Sequence, residues 1–266
     1  VALGTQRWAS TDFNAPDEAA CGALLDRAVL GGGVNLVDTA EQYPIPSGPN
    51  SREGLGEELI GRWCKGGPGR REKLVVASKI TGGPRSVSSA KRIVAQCEGS
   101  LRRLGTDYLD VYQLHGPARY SPQANWGQSL AYDFEAEPYY SGAASFEQIC
   151  LGMGELIAAG KLRGWGLCND NAFGLTACCE VAKRLGVPPP VSFQGDFSLV
   201  NRRSEENGVF EASSAVHENV GFLAYNALAG GVLTGKYAAA PAQRAELDAE
   251  RAPRRRRAPR RRARER

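Results

Sequence analysis

The chain of 266 residues is 42% hydrophobic, so it can bury a substantial core, either as one large α/β domain or as two small ones. It contains no run of about 18 apolar residues, which argues against a transmembrane helix. The formal net charge of +4 comes from one end: residues 251–266 carry ten arginines and one glutamate, and without them 23 basic and 28 acidic residues leave a net charge of −5.

Short apolar runs, several of them rich in β-forming residues, recur along the chain and predict seven strands. In chain order they are Val1–Leu3, Val34–Asp38, Leu74–Lys79, Leu109–His115, Leu162–Leu167, Val191–Gln194 and Gly221–Tyr225. Stretches with apolar residues at helical spacing lie between them and predict six helices. These are Pro16–Leu30, Arg52–Cys64, Ser88–Leu104, Ser145–Ala159, Ala172–Leu185 and Ser204–Asn219.

The alternation of strand and helix, in units of about 35 residues, indicates a parallel sheet covered by helices. We therefore predict an α/β fold, a (β/α)8 TIM-type barrel that is incomplete, with about seven strands and its last βα units missing. A doubly wound open sheet is the alternative. That fold usually has a Gly-rich turn after an early strand, and the sequence has no GxGxxG motif.

Two segments depart from this alternation. Residues 116–144 form a long connection with six aromatic residues, which we interpret as a lid or a pocket wall, with plain packing as the alternative. Residues 238–266 are rich in Ala, Arg and Pro, and a block of like charges with nothing to bury is expected to be disordered. The sequence thus predicts a barrel domain over residues 1–237 and a low-complexity tail over residues 238–266.

The tail permits two interpretations. Its arginines could bind nucleic acid electrostatically, or it could be a non-native chain end. Nucleic-acid binding is the weaker hypothesis, because the body is net acidic and has no recognisable nucleic-acid motif.

The seven cysteines are scattered, with no CxxC motif and no histidine at metal-ligand spacing. We interpret them as small buried residues of a protein in a reducing compartment, and we expect no metal site. No signal peptide is visible, so the cytoplasm is the expected location. Because the sequence begins at Val1 and not at Met, a presequence could be missing, and an organelle stroma is the alternative.

Asp38, Lys79 and His115 each end an apolar run, on three consecutive predicted strands. In a βα barrel the C-terminal ends of all strands meet at one rim, where active sites lie. Each residue alone could be a solvated strand end or a satisfied core group, but three on neighbouring strands point to chemistry. The motif DTAEQYP adds Tyr43 in the loop above the same rim.

These four side chains suit carbonyl reduction. The ammonium of Lys79 is expected to lower the pKa of the Tyr43 phenol, and Asp38 would hold that ammonium in place. Tyr43 could then donate a proton near neutral pH, while a neutral His115 hydrogen-bonds the same substrate oxygen. The predicted reaction is hydride attack on a carbonyl carbon with protonation of its oxygen.

Six motifs, in this order along Val1–Tyr237, resemble those of the aldo/keto reductase family. They are LGTQRW, NLVDTAEQYP, VVASKI, SLRRLGTDYLDVYQLHGP, GKLRGWGLCNDNAFG and AYNALAGGVLTGKY. The proline after Tyr43 and the long loop after His115 resemble the branch that contains the bacterial Tas protein and the potassium-channel β subunits. The resemblance implies NADPH-dependent reduction of an aldehyde or ketone, with Asp38, Tyr43, Lys79 and His115 as catalytic residues and Tyr43 as the general acid.

The resemblance also implies a set of residues that would bind NADPH or NADP. They are Gly4, Thr5, Trp8, Cys168, Asn169, Gln194, Tyr225, Asn226, Leu228, Gly230 and Lys236. Asn169 and Gln194 would hold the nicotinamide amide, next to Cys168 where the family usually has serine. Tyr225 would stack on the ring.

The family continues past this segment with groups that hold the 2′-phosphate and adenine, so the resemblance leaves NADPH binding by this chain open. It also implies an alternative function, a non-catalytic or weakly active protein that senses the cofactor or regulates a partner. A homo-oligomer is compatible with the sequence.

Overall fold

A parallel sheet of seven strands forms the centre of the computed structural model, which describes residues 1–12, 14–122 and 131–237. The strands are β1 (Ala2–Gly4), β2 (Leu36–Asp38), β3 (Val75–Ile80), β4 (Leu109–Leu114), β5 (Leu162–Cys168), β6 (Ser192–Asp196) and β7 (Gly221–Tyr225). Their order in the sheet is their order along the chain. A doubly wound sheet would reverse its strand order at a switch point, so that alternative is wrong. The curled half-barrel confirms the prediction of an incomplete barrel.

Helices connect successive strands. They are α1 (Glu18–Leu25), α2 (Leu55–Lys65), α3 (Ala90–Leu104), α4 (Phe146–Ala158), α5 (Ala172–Leu185), α6 (Arg203–Glu206) and α7 (Val209–Ser213). A short π-helix (Asp26–Leu30) continues α1, and 3-10 helices span Glu137–Tyr140 and Ala229–Thr234. Side-chain oxygens cap the first turns of α1, α3, α4 and α5, and this is why these helices begin where they do. In the part of the chain that the structure describes, none of the helices combines the length and the hydropathy needed to cross a membrane.

The prediction of one helix over Ser204–Asn219 is wrong, because two short helices stand in its place. Gly208 adopts φ = 80°, a left-handed conformation that interrupts a helix. The Asn207 side chain accepts a hydrogen bond from the Val209 amide and so favours the break. The Asn-Gly pair that causes it is visible in the sequence.

The seven cysteines are free thiols, and all are buried except the half-buried Cys64, as predicted. The described residues hold no group of three or more His, Cys, Asp or Glu side chains arranged to bind a metal ion. The predicted tail, residues 238–266, lies outside the described residues, as does Trp126 of the long aromatic connection. The domain boundary at residue 237 therefore stays a prediction.

An ionic brace ties three strands together at the end of the sheet where β4 begins. The Asp110 carboxylate accepts hydrogen bonds from the Arg71 side chain (2.9 Å) and the Val76 amide (2.9 Å). Its other oxygen accepts one from Arg163 at 2.8 Å. Both guanidinium groups lie on the ring of Tyr108, 4.0 and 4.3 Å from its centroid. The brace links the residues around β3, β4 and β5 at the end opposite the rim.

Candidate active site

The C-terminal ends of β2 and β3 pair Asp38 with Lys79. The ammonium nitrogen of Lys79 lies 2.7 Å from Oδ2 of Asp38 and donates a second hydrogen bond to the Thr39 carbonyl at 2.8 Å. The Lys79 side chain is fully buried. A buried ammonium needs this pairing, because an uncompensated charge there would be strongly unfavourable.

Tyr43 lies next to this pair, in the loop after β2. Its hydroxyl is 3.4 Å from Nε2 of His115, and its ring centroid is 5.0 Å from Nζ of Lys79. The Tyr43 carbonyl accepts backbone hydrogen bonds from Gly54 and Gly56 at the start of α2. A side chain at position 56 would place its Cβ only 3.3 Å from Cβ of Tyr43, so a glycine suits that close approach. The structure thus brings together the four predicted catalytic residues, hereafter the tetrad.

Burial changes the predicted acidity of Tyr43. Desolvation raises the pKa of its phenol to about 12, although the Lys79 ammonium acts in the lowering direction. The prediction that the pKa of Tyr43 lies below its usual value is therefore wrong in its net direction. The sequence shows that a lysine is near but not how deeply the phenol is buried.

The other two titrating groups keep one charge state at neutral pH. Burial opposes the charged form of Lys79, but the interactions with Asp38, Tyr43 and Cys168 together raise the lysine pKa above its usual value. Burial and the Lys79 charge lower the pKa of His115 to about 3, so the imidazole is neutral near pH 7. An ammonium, a protonated phenol and a neutral imidazole therefore share the rim.

His115 has further contacts that sequence reasoning missed. Nε2 of Gln42 lies 3.1 Å from Nδ1 of His115. The His115 amide donates to the Ile80 carbonyl at 2.8 Å, which fixes the histidine at the end of β3. Gln42 lies inside the DTAEQYP motif, so the signal was a polar residue directly before Tyr43.

Gln194 connects the opposite side of the sheet to the tetrad. Its amide nitrogen donates to Oδ1 of Asp38 at 2.8 Å, and its amide oxygen is 3.6 Å from the thiol of Cys168. Both carboxylate oxygens of Asp38 are therefore bound, one by Lys79 and one by Gln194.

Asn169 links β4 to β7 at the same rim. It adopts φ = 56°, a left-handed conformation that asparagine tolerates better than most residues. Its side chain donates to the His115 carbonyl and accepts from the Tyr225 hydroxyl, both at 2.9 Å. The two residues predicted to hold the nicotinamide amide are neighbours, because the backbone N–H of Asn169 donates to the backbone carbonyl of Gln194 at 2.9 Å.

Two of the three predicted residues near β1, Gly4 and Thr5, contact Asp38 at the rim. Thr5 donates from its hydroxyl and its amide to the Asp38 carbonyl, both at 3.0 Å. Gly4 pairs with Asp38 in the sheet, and a Cβ there would meet no atom within 4 Å. Trp8 is buried in the core.

The remaining predicted residues lie in the segment that follows β7, the β7 loop (Asn226–Lys236). The Asn226 side chain accepts from the Gly230 amide at 2.9 Å and donates to Asp196 at 3.3 Å. The Lys236 ammonium lies 4.8 Å from the ring centroid of Tyr237. Leu228 is 58% exposed. The Asn226 side chain thus bonds to its own loop and to the end of β6.

These groups fit a nicotinamide. Asn169 and Gln194 place two side-chain amides at neighbouring strand ends, oriented by their bonds to His115 and Asp38, and Tyr225 supplies an aromatic ring beside Asn169. The β7 loop has backbone turns at Gly230 and Gly231, of φ 63° and 93°, which suit the approach of a phosphate.

Comparison of the sequence with known proteins identifies its family. Residues 1–260 match the sequence model of the aldo/keto reductase family. The chain belongs to this family. It is 38% identical to Protein tas of Escherichia coli over an alignment of 247 residues that covers 89% of this chain and 66% of that protein.

Two further relatives extend the comparison. The chain is 32% identical to the uncharacterized oxidoreductase YrpG of Bacillus subtilis, over 83% of this chain and 61% of that protein. It is 30% identical to a probable voltage-gated potassium channel subunit beta of Oryza sativa subsp. japonica, over 81% of this chain and 57% of that protein. The matches support the Tas-like and potassium-channel β-subunit-like branch, and the chain spans less than two thirds of the length of these relatives.

Proposed function

We propose that this chain is an oxidoreductase that uses NADPH to reduce a small aldehyde or ketone to an alcohol, with Tyr43 as the general acid. One observation carries the proposal: the Tyr43 hydroxyl lies 3.4 Å from Nε2 of His115, beside the buried Lys79–Asp38 pair. Family membership and relatives named as oxidoreductases support the same class of reaction.

Tyr43 supplies the proton. Because burial raises the pKa of its phenol to about 12, the group is protonated at neutral pH and ready to donate. Loss of the proton leaves a phenolate, and the Lys79 ammonium beside the ring stabilises that charge. Asp38 keeps the ammonium in place through the 2.7 Å contact.

The other residues orient the reactants. A reduced nicotinamide supplies the hydride when it is bound. Asn169 and Gln194 would hold its amide, and Tyr225 would lie against its ring. His115, neutral at pH 7, would hydrogen-bond the substrate oxygen and so direct that oxygen toward the Tyr43 hydroxyl.

The test measures cofactor binding and turnover separately. NADPH and NADH are titrated against the chain by fluorescence, and turnover of 4-nitrobenzaldehyde is then followed by cofactor oxidation. Tyr43→Phe is expected to lower reduction by at least about 10²-fold, because it removes the proton donor, while the Kd for NADPH changes less than about twofold. Equal loss of binding and turnover would mean that Tyr43 is structural, and absence of NADPH binding by the intact chain would overturn the proposal.

A regulatory, cofactor-sensing protein is the second candidate. The match to a potassium channel subunit beta favours it, as does the exposure of the β7 loop. Saturable NADPH binding without turnover of any aldehyde or ketone would select this function over the reductase. The cytoplasmic location and the homo-oligomer remain predictions.

A further inference from the structure

We infer that Gln42 is a positioning residue that determines which ring nitrogen of His115 carries the proton. Nε2 of Gln42 lies 3.1 Å from Nδ1 of His115, and the Tyr43 hydroxyl lies 3.4 Å from Nε2. In a neutral imidazole one nitrogen donates and the other accepts. A side-chain amide nitrogen only donates, so the Gln42 amide makes Nδ1 the acceptor and leaves the proton on Nε2.

Both polar atoms of the Gln42 amide have a partner in this orientation. Nε2 faces the histidine, and the Thr81 hydroxyl donates to Oε1 at 3.3 Å. Thr81 is held in turn, because its backbone amide donates to Glu41 at 2.8 Å. The second carboxylate oxygen of Glu41 accepts from Gln96 at 3.0 Å. The side chains of Glu41 and Gln42 both bond to Thr81, the first residue after β3.

The consequence for catalysis rests on the proposed function. With the proton on Nε2, His115 presents an N–H donor and Tyr43 presents an O–H donor to the same substrate oxygen. With the proton on Nδ1, the bare Nε2 would instead accept the Tyr43 proton and withhold it from the substrate. Gln42 would therefore act through His115, without touching the substrate.

The tautomer can be read directly by ¹⁵N NMR of the full chain without cofactor. The chain has only two histidines, and His217 is exposed, so His217→Gln leaves the His115 ring signals alone in the spectrum. Shifts and couplings at neutral pH are expected to show a protonated Nε2 and a bare Nδ1. A protonated Nδ1 in this chain would mean that the amide is reversed, and it would overturn the inference.

Two substitutions that introduce side chains of similar length test whether Gln42 determines the tautomer of His115. In Gln42→Glu a carboxylate, which only accepts, faces Nδ1, so the proton is expected to move to Nδ1. In Gln42→Met that hydrogen bond is lost, and the two tautomers are expected to mix. Gln148→Glu, on the exposed side of α4, adds the same charge and is expected to keep the original spectrum. Unchanged His115 shifts in both Gln42 variants, with folding checked by circular dichroism, would overturn the inference.

The spectra require neither cofactor nor turnover, so they separate this inference from the proposed function. If the chain is a reductase, Gln42→Glu is expected to lower kcat by about 10²-fold, the scale of losing one donor to a developing oxyanion, with the Kd for NADPH unchanged. An inverted tautomer with unchanged kcat would overturn the catalytic consequence of Gln42.

Discussion

The tetrad and the β7 loop belong to the same predicted site, but the fold holds them very differently. Lys79 is fully buried and Tyr43 only 5% exposed, and the tetrad side chains contact one another or a neighbouring strand. In the β7 loop, Leu228 and Val232 are 58% and 56% exposed, and the Asn226 side chain bonds to Gly230 and Asp196. The groups for proton transfer are thus preorganised, while the β7 loop residues predicted to bind NADPH are held by local contacts.

The largest effect should come from the buried charge pair. Asp38→Asn leaves the Lys79 ammonium without its carboxylate in a fully buried position, so the free energy of unfolding is expected to fall by about 3–5 kcal/mol. Urea denaturation followed by circular dichroism measures it. The control is Glu180→Gln, which removes the carboxylate of a surface ion pair with Lys183. The Glu180 and Lys183 side chains are 64% and 55% exposed, so the free energy of unfolding is expected to change by less than about 1 kcal/mol. Equal changes in the two variants would contradict the contrast between buried and exposed regions.

A smaller effect should appear in the pH dependence of stability. The folded pKa of His115 is lowered from 6.5 to about 3, so the unfolded chain binds more protons between these values. Stability from this group is therefore complete above about pH 6.5 and is lost as the pH falls toward 3. The urea midpoint should drop less between pH 7 and pH 5 in His115→Gln than in the original chain. The control is His217→Gln, at an exposed position, and its urea midpoint should drop as much as that of the original chain. Identical drops in all three proteins would refute the assignment to His115.

The smallest effect is expected in the β7 loop. Asn226 adopts φ = 56°, which alanine tolerates poorly and glycine readily. Asn226→Ala is expected to weaken NADPH binding about three- to tenfold, and Asn226→Gly less, because glycine keeps the turn and loses only the side-chain hydrogen bonds. Fluorescence titration gives both values. A larger loss in the glycine variant would show that the side chain matters more than the backbone conformation.

Much of the tetrad could be predicted because strand ends are visible in a sequence. Asp38, Lys79 and His115 each close an apolar run, and parallel strands bring such ends to one rim. The contacts of Gln42 and Gln194 could not be predicted in the same way. They depend on side-chain directions in loops and across the sheet, which periodicity does not encode.

The two wrong predictions have different physical origins. The break at Gly208 could have been predicted from the sequence, because an Asn-Gly pair interrupts a helix even when the apolar spacing continues around it. The pKa of Tyr43 could not have been predicted from the sequence, because it depends on how deeply the packed structure buries the phenol. Charge neighbours can be inferred from motifs, but burial depth comes only with the packed structure.

The ionic brace around Asp110 lies at the end of the sheet opposite the tetrad, and it joins β4 to Val76 of β3 and Arg163 of β5. This end of the sheet is therefore held by side chains that lie outside the loops that shape the mouth. Directed evolution could randomise those loops to accept new carbonyl compounds while leaving the brace untouched, so the chain offers a tolerant scaffold for engineering.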